Sequence, residues 1–334
     1  TIFFKLHMKE QLVTKKILNW YYLNSRSLPW RKKVSFKKRQ YNTLVSEFML
    51  QQTQVVTVIP YFRQFIKDIP DIKSLANIQN KKLIKLWEGL GYYSRARNLK
   101  KTAQIIIKDF NGKLPDNFKD LVTLPGIGNY TACAILAIVF NKPFIPLDGN
   151  IERVLKRYLY LKKDKDIQKD SLQNKKSIFG SSSRPSDYAQ ALMELGALIC
   201  KPINPLCNKC PISNNCISFK KNDFNFKKII QKNKEKYFLI KVYKKNKKYL
   251  LVKNIKFNFL KNLGIFPMQE ITNPKNFNQN LNLKMSNMNM SIKIQYLKNK
   301  RKIPLSYWVD QKKIKDHTLP TFTKTVVKYL ERNS

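Results

Sequence analysis

The chain has 334 residues, which at about 150 residues per domain suggests two domains. Its 65 Lys and Arg against 21 Asp and Glu leave a net charge of +44, which suits a polyanionic partner: DNA, RNA or an anionic membrane surface. Hydrophobic residues at 43% exclude a merely disordered basic tail, and the absence of any run of about 18 apolar residues argues against a membrane span. The first 30 residues carry charges throughout and lack the apolar core of a signal peptide. The five Cys are odd in number and clustered, unlike a secreted disulfide framework. The two His, His7 and His317, lie near the ends, which argues against Ser-His-Asp or Cys-His catalysis and against Cys/His zinc fingers. Lys, Asn and Ile are abundant everywhere, so part of the charge also reads as compositional drift on solvated faces.

Apolar residues recur at three- and four-residue spacing in 11–23, 44–65, 81–89, 96–110 and 131–140, which predicts helices there. Pro29, Pro70, Gly89, Gly112, Pro115, Pro125 and Pro143 mark the breaks. Residues 32–40 form a basic loop, 162–176 are polar, and 219–236 read as a Lys/Asn-rich linker. Beyond it, 237–243 and 249–253 alternate like paired strands around a Lys-Asn-Lys-Lys turn. Residues 291–296 are another candidate strand and 321–330 a final amphipathic helix, giving an α+β unit.

Four motifs carry chemistry. Cys200, Cys207, Cys210 and Cys216 place four thiols within 17 residues. Only one short Cys-x-x-Cys pair is present, and the unequal spacings suit one ligand per iron of a cubane cluster, with structural zinc as the alternative. Cys133 reads as a buried small hydrophobe. In Leu124-Pro125-Gly126-Ile127-Gly128, the glycines allow a tight hairpin and a close approach of backbone N–H groups to phosphate; an ordinary helix–helix turn is the alternative. Asp148 opens a helix over 151–160, either as a simple N-cap or as a carboxylate facing the hairpin's cleft. Glu47 lies in an apolar helical stretch, where burial would raise its pKa and make it a general acid unless its head reaches solvent. Gln51, Gln52 and Gln54 offer amides that can enter a base stack or read base edges.

Together these segments resemble the helix-hairpin-helix DNA glycosylases, and within them the MutY-type adenine DNA glycosylases. Leu28-Pro29-Trp30, the stretch from Ser46 to Gln54, Gly89-Leu90-Gly91-Tyr92-Tyr93-Ser94-Arg95, the glycine hairpin, Leu147-Asp148-Gly149-Asn150 and the four cysteines follow the family's order. The resemblance implies a mainly α protein. A two-lobed helical glycosylase domain would occupy residues 1–220, with an iron–sulfur loop at 200–216. A linker at 221–236 would precede a Nudix-like α+β domain at 237–334.

It further implies one 4Fe–4S cluster on Cys200, Cys207, Cys210 and Cys216. Glu47 would protonate a flipped adenine, and Asp148 would stabilise the sugar cation. Tyr130 and Asn150 would support them. Arg26, Trp30, Leu50 and Gln190 would line the base pocket, Gln52 and Tyr92 would fill and wedge the vacated stack, and Gln51 would bind the substrate beside them. Gly126 and Gly128 would hold phosphate. Tyr130 stands where strand-cleaving relatives carry a Schiff-base lysine, so a monofunctional glycosylase is expected. The implied partner is duplex DNA with adenine opposite 8-oxoguanine or guanine, met in the bacterial cytoplasm by a monomer with no membrane contact. Leu263-Gly264-Ile265-Phe266-Pro267 and the last helix support the Nudix-like unit. Met285-Ser286-Asn287 stands in for the family's lesion-contacting loop, with Ser286 bonding the lesion. An endonuclease III-like enzyme acting on oxidised pyrimidines, and a catalytically decayed DNA-binding protein, are the alternatives.

Overall fold

A computed structural model describes residues 2–162, 182–226, 233–272, 274, 277–285, 288–297, 303–314, 317 and 319–333. The chain forms two compact units, 1–78 with 97–228, and 79–96 with 229–334. Residues 79–96 therefore belong with the sheet-bearing C-terminal unit and not with the helices that flank them in sequence.

The first unit is helical among the described residues. It holds α1 (Ile2–Asn24), α2 (Phe36–Leu50), α3 (Val55–Asp68) and α4 (Ile72–Asn77). The segment 79–96 carries α5 (Asn80–Leu86), and α6 (Ser94–Asp109) leads back into the first unit. Then come α7 (Phe118–Thr123), α8 (Asn129–Ile138), α9 (Gly149–Leu159), α10 (Pro185–Glu194) and the short α11 (Ile217–Lys220). The expected single helix over 44–65 is two helices. Gln52 adopts φ 57°, a left-handed conformation that no helix continues, and the chain turns between Leu50 and Val55. Residues 131–137 of α8 are all buried, as a helix apolar on every side must be. Around it pack α2, α7 and α10.

A second core joins Val13, Ile17 and Tyr21 of α1 to Ile151, Val154, Leu155 and Tyr158 of α9 and to Tyr188, Ala191 and Leu192 of α10. The i, i+3, i+4 spacing in each set puts these side chains on one stripe. Cys200, Cys210 and Cys216 pack against this core, so the cysteine loop is anchored where α9 and α10 meet.

Among the described residues the C-terminal unit holds seven strands: β1 (Lys234–Lys245), β2 (Lys248–Lys253), β3 (Gly264–Ile265), β4 (Met268–Ile271), β5 (Leu281–Met285), β6 (Met288–Leu297) and β7 (Ser306–Asp310), with a closing helix α12 (Thr321–Arg332). The expected β1–β2 hairpin exists, with Asn246 and Lys247 both at positive φ in its turn, but only Lys244 and Lys245 of β1 pair with β2. Most of β1 runs parallel to β6 and antiparallel to β4. Phe238, Ile240 and Val242 alternate into the core and meet Phe322, Val326, Val327 and Leu330 of α12. Gly264, the one glycine after residue 200, sits where an added Cβ would lie 2.0 Å from the Tyr307 hydroxyl. No side chain fits there.

Candidate active site

Three elements of the first unit converge on one polar cluster inside a largely apolar core. The second half of α2 carries Glu47, 5% exposed between the buried Ser46 and Phe48. The first turn of α8, just past the glycine hairpin, carries Tyr130. Asp148 caps α9, accepting from the Asn150 N–H at 3.0 Å and the Ile151 N–H at 2.7 Å. It is a cap, as the sequence allows, and its charge also reaches Glu47.

Burial raises the Glu47 pKa from 4.5 to about 7. The Tyr130 hydroxyl, hydrogen-bonded to Glu47, and the Arg31 guanidinium pull against that rise, while the Asp148 charge adds to it. Glu47 Oε2 is buried with no hydrogen-bond partner. A protonated carboxyl group with one oxygen free is a proton donor waiting for an acceptor. Burial also raises Asp148, but the N–H groups of Ile151 and Asn150, the Asn150 amide and the Arg153 charge oppose it by favouring the anion. Two carboxyl groups with different partners can thus hold different protonation states side by side. Burial and the neighbouring Glu47 and Asp148 charges raise the Tyr130 pKa well above 10.0, so it stays a neutral donor.

Behind Asp148 the support is continuous. Asn150 Nδ2 donates to Asp148 Oδ2 at 2.9 Å, and Arg153 Nη2 donates to Asn150 Oδ1 at 2.8 Å. Arg153 also donates to the Gly196 carbonyl from Nη2 and to the Cys200 carbonyl from Nε, both at 2.7 Å. A chain of hydrogen bonds therefore runs from the carboxylate to the first loop cysteine.

A second buried acid escaped the sequence reading. Glu194, fully buried at the end of α10, accepts from Arg26 Nε and Nη2 at 2.8 and 2.7 Å, and lies 3.0 Å from Arg31 Nη1. Burial pushes its pKa up, but the two guanidiniums hold it below 4.5. Its signal was the one that singled out Glu47: a lone carboxylate in an apolar helical run. Arg31 was hidden in the basic stretch that follows it.

Gln51 Nε2 donates to the Gly126 carbonyl at 3.1 Å, tying α2 to the hairpin, while Gln52 is exposed. Gln190 is buried and donates to the Ser186 carbonyl at 3.2 Å. Trp30 is half-buried, edge-on to Phe62, and Leu50 is half-buried at the end of α2. Gly126 has φ 85°, and a Cβ there would meet the Phe48 ring at 2.8 Å. Gly128 is exposed, extended and open around its Cα, and no side chain caps the start of α8. Tyr92 belongs to the other unit, and Ser286 lies outside the described residues.

Cys207, Cys210 and Cys216 all lie within reach of the Cys200 charge. Burial raises Cys207, Cys210 and Cys216, Cys210 to about 12, and each is pushed further by the other thiols. Buried Arg157 donates from Nη1 to Cys200 Sγ at 3.4 Å, and also to the Lys201 carbonyl at 2.6 Å. Among the described residues no three His, Cys, Asp or Glu side chains close around one ion position. Among them, too, no helix is long and apolar enough to cross a membrane.

Residues 45–177, which contain Glu47, the hairpin and Asp148, match the family described as HhH-GPD superfamily base excision DNA repair protein. The chain is 41% identical over 262 residues to the adenine DNA glycosylase of Buchnera aphidicola subsp. Schizaphis graminum, covering 75% of this chain and 73% of that one. A solved thermostable thymine-DNA glycosylase superposes with TM-score 0.57 at 27% identity, over 64% of this chain and 98% of its own. An endonuclease III bound to DNA gives TM-score 0.53 at 20% identity, over 64% and 97%, a likeness of fold. With the paired carboxyl groups set beside a helix-hairpin-helix turn, this chain belongs to the adenine DNA glycosylase family.

Proposed function

We propose that the chain removes adenine from duplex DNA by hydrolysing its N-glycosidic bond, the adenine lying opposite 8-oxoguanine or guanine. The observation that carries this reading is the buried Glu47, its pKa raised to about 7 and its Oε2 unpartnered, with the hydrogen-bonded Asp148 within reach of its charge. Adenine leaves poorly as an anion, so an acid must protonate its ring as the bond breaks. The base has to leave the stack to reach Glu47. Glu47 then gives its proton to the imidazole side of the base, and Asp148 stabilises the oxocarbenium-like sugar until water adds. The Tyr130 hydroxyl holds the Glu47 carboxyl, and Asn150 holds that of Asp148.

Arg26, Trp30, Leu50 and Gln190 line the base pocket in this reading, Arg26 oriented by Glu194. Gln51 and Gln52 face the vacated stack, Tyr92 wedges it, and the N–H groups after Gly126 and Gly128 hold a phosphate. Tyr130 has no amine with which to form a Schiff base, so strand cleavage of the endonuclease III kind is not expected. The donor set of Cys200, Cys207, Cys210 and Cys216, four thiols within one another's field beside Arg157, fits a 4Fe–4S cluster. When bound it would supply structure, holding Lys201, Lys209 and Lys220 toward DNA phosphates. Residues 237–334 would read the lesion, and the protein would act as a monomer in the cytoplasm.

The test is single-turnover excision on duplexes with 8-oxoguanine, guanine or thymine opposite adenine. Release of adenine from the first two, with strand breaks only after alkali, is expected. Excision of oxidised pyrimidines instead, or no excision, overturns the reading.

A further inference from the structure

The segment 79–96 groups with the C-terminal unit, and it ends in the turn that presents Tyr92. That turn is tightly wound: Gly89, Gly91 and Tyr92 have φ of 104°, 70° and 45°. A left-handed tyrosine relaxes unless its surroundings hold it. From inside, the buried Trp87 donates Nε1 to the Gly91 carbonyl at 3.2 Å, and Arg95 Nη2 donates to the Leu90 and Gly91 carbonyls at 3.0 and 3.3 Å. The Arg95 guanidinium lies over both the Trp87 and Tyr92 rings, while the Tyr92 side chain remains 42% exposed.

From outside, the hold is electrostatic. Glu88, whose side chain is 13% exposed, takes Lys85 Nζ of α5 at 2.9 Å and Lys324 Nζ of α12 at 2.5 Å. Helix α12 is itself firmly seated. Phe322, Val326, Val327 and Leu330 fill the sheet core, and Thr323 Oγ1 donates to the Gly264 carbonyl at 2.8 Å. A rigid helix of the sheet unit thus grips the residue next to the first glycine of the turn.

We propose that Lys324, through its ion pair with Glu88, is a positioning residue that holds the 88–92 turn in the form that inserts Tyr92 into DNA. The proposal rests on the reading above in which Tyr92 wedges the stack. It gives the C-terminal unit a second task besides reading the lesion: setting how readily the duplex opens. Removing Lys324 leaves Glu88 nearly buried with one partner fewer, so the turn relaxes away from its left-handed run. The acid chemistry at Glu47 stays as it was.

The experiment uses the full-length protein and a duplex with 2-aminopurine beside the target adenine, whose fluorescence reports unstacking. Lys324→Met is expected to lower the unstacking equilibrium about three- to fivefold, the size of a partly shielded ion pair, and Glu88→Gln to do the same. The double variant should be no worse than either single one, because both act through one contact. Lys324→Arg should restore unstacking, and Lys324→Met should be silent in a Tyr92→Ala background. Additive effects of Lys324→Met and Glu88→Gln overturn the proposal. So does a loss of DNA affinity with unchanged unstacking, which would make Lys324 a phosphate contact. If Tyr92→Ala suppresses unstacking and Lys324→Met does not, the latch fails and the wedge stands. Unstacking indifferent to Tyr92→Ala removes the wedge, and the latch with it.

Discussion

Glu47 shows how much one buried carboxyl group is asked to do. Its folded pKa of about 7 exceeds the ordinary 4.5, so between these values the folded chain binds more protons than the unfolded one. Its contribution to stability is therefore full below about 4.5 and is lost as pH rises through about 7. The loss is roughly 3 kcal/mol at most for a shift of this size. Glu47→Gln should flatten that fall, and thermal unfolding from pH 5 to 8 reads it as a variant that gains on the wild type as pH rises. The same substitution should lower adenine excision by about a hundred- to ten-thousandfold while DNA binding survives, since the amide keeps the shape and loses the proton. Excision near the wild-type rate would remove Glu47 from the acid's role.

At the scale of elements, two joints hold the site together. The hairpin between α7 and α8 passes so close to α2 that Gly126 needs both its positive φ and its missing Cβ. Gly126→Ala should destabilise the first unit by about 2 kcal/mol, from the left-handed strain plus displacement of the Phe48 ring one residue from Glu47. Differential scanning calorimetry would show it as a lowered melting temperature. The second joint is Arg153, which ties α9 to Gly196 near the start of the π-turn at 195–199 and to Cys200. Arg153→Met takes a donor from four acceptors, among them the Asn150 oxygen that orients its amide toward Asp148. Excision should fall about ten- to a hundredfold with DNA affinity nearly kept, the cost of one or two lost buried hydrogen bonds. An unchanged rate in single-turnover assay would show that Asp148 is held by its backbone bonds alone.

For the whole molecule, the charge of +44 makes salt the simplest probe. If about six phosphates are neutralised, log affinity against log salt should fall with a slope near −5 in fluorescence anisotropy. A slope near zero would mark most of the lysines as compositional. The cysteine loop is tested by iron and sulfide analysis of anaerobically purified protein. Cys207→Ser should lower the iron content together with DNA affinity, and stoichiometric zinc without iron would set the cluster aside.

Local chemistry was legible in the sequence because it depends on short spacings. A carboxylate among apolar residues announced Glu47, a Pro-Gly-x-Gly run announced the hairpin, and four cysteines within 17 residues announced a shared loop. Apolar spacing likewise placed α1, α6, α8 and α12. Whatever depends on partners distant in sequence was decided by tertiary structure. Residues 44–65 read as one apolar helix because the left-handed turn at Gln52 follows from packing, not from a Gly or Pro that marks it. The β1 strand looked like half of a hairpin, yet its length is spent beside β4 and β6, because exposed strand edges take whichever neighbour the fold delivers. Glu194 becomes a site residue only through Arg26 and Arg31, which lie far earlier in the chain and close on it. The grouping of 79–96 with the C-terminal sheet has the same cause. A sequence records which groups are available, and only the folded chain brings a carboxylate and the cation that neutralises it within reach of each other.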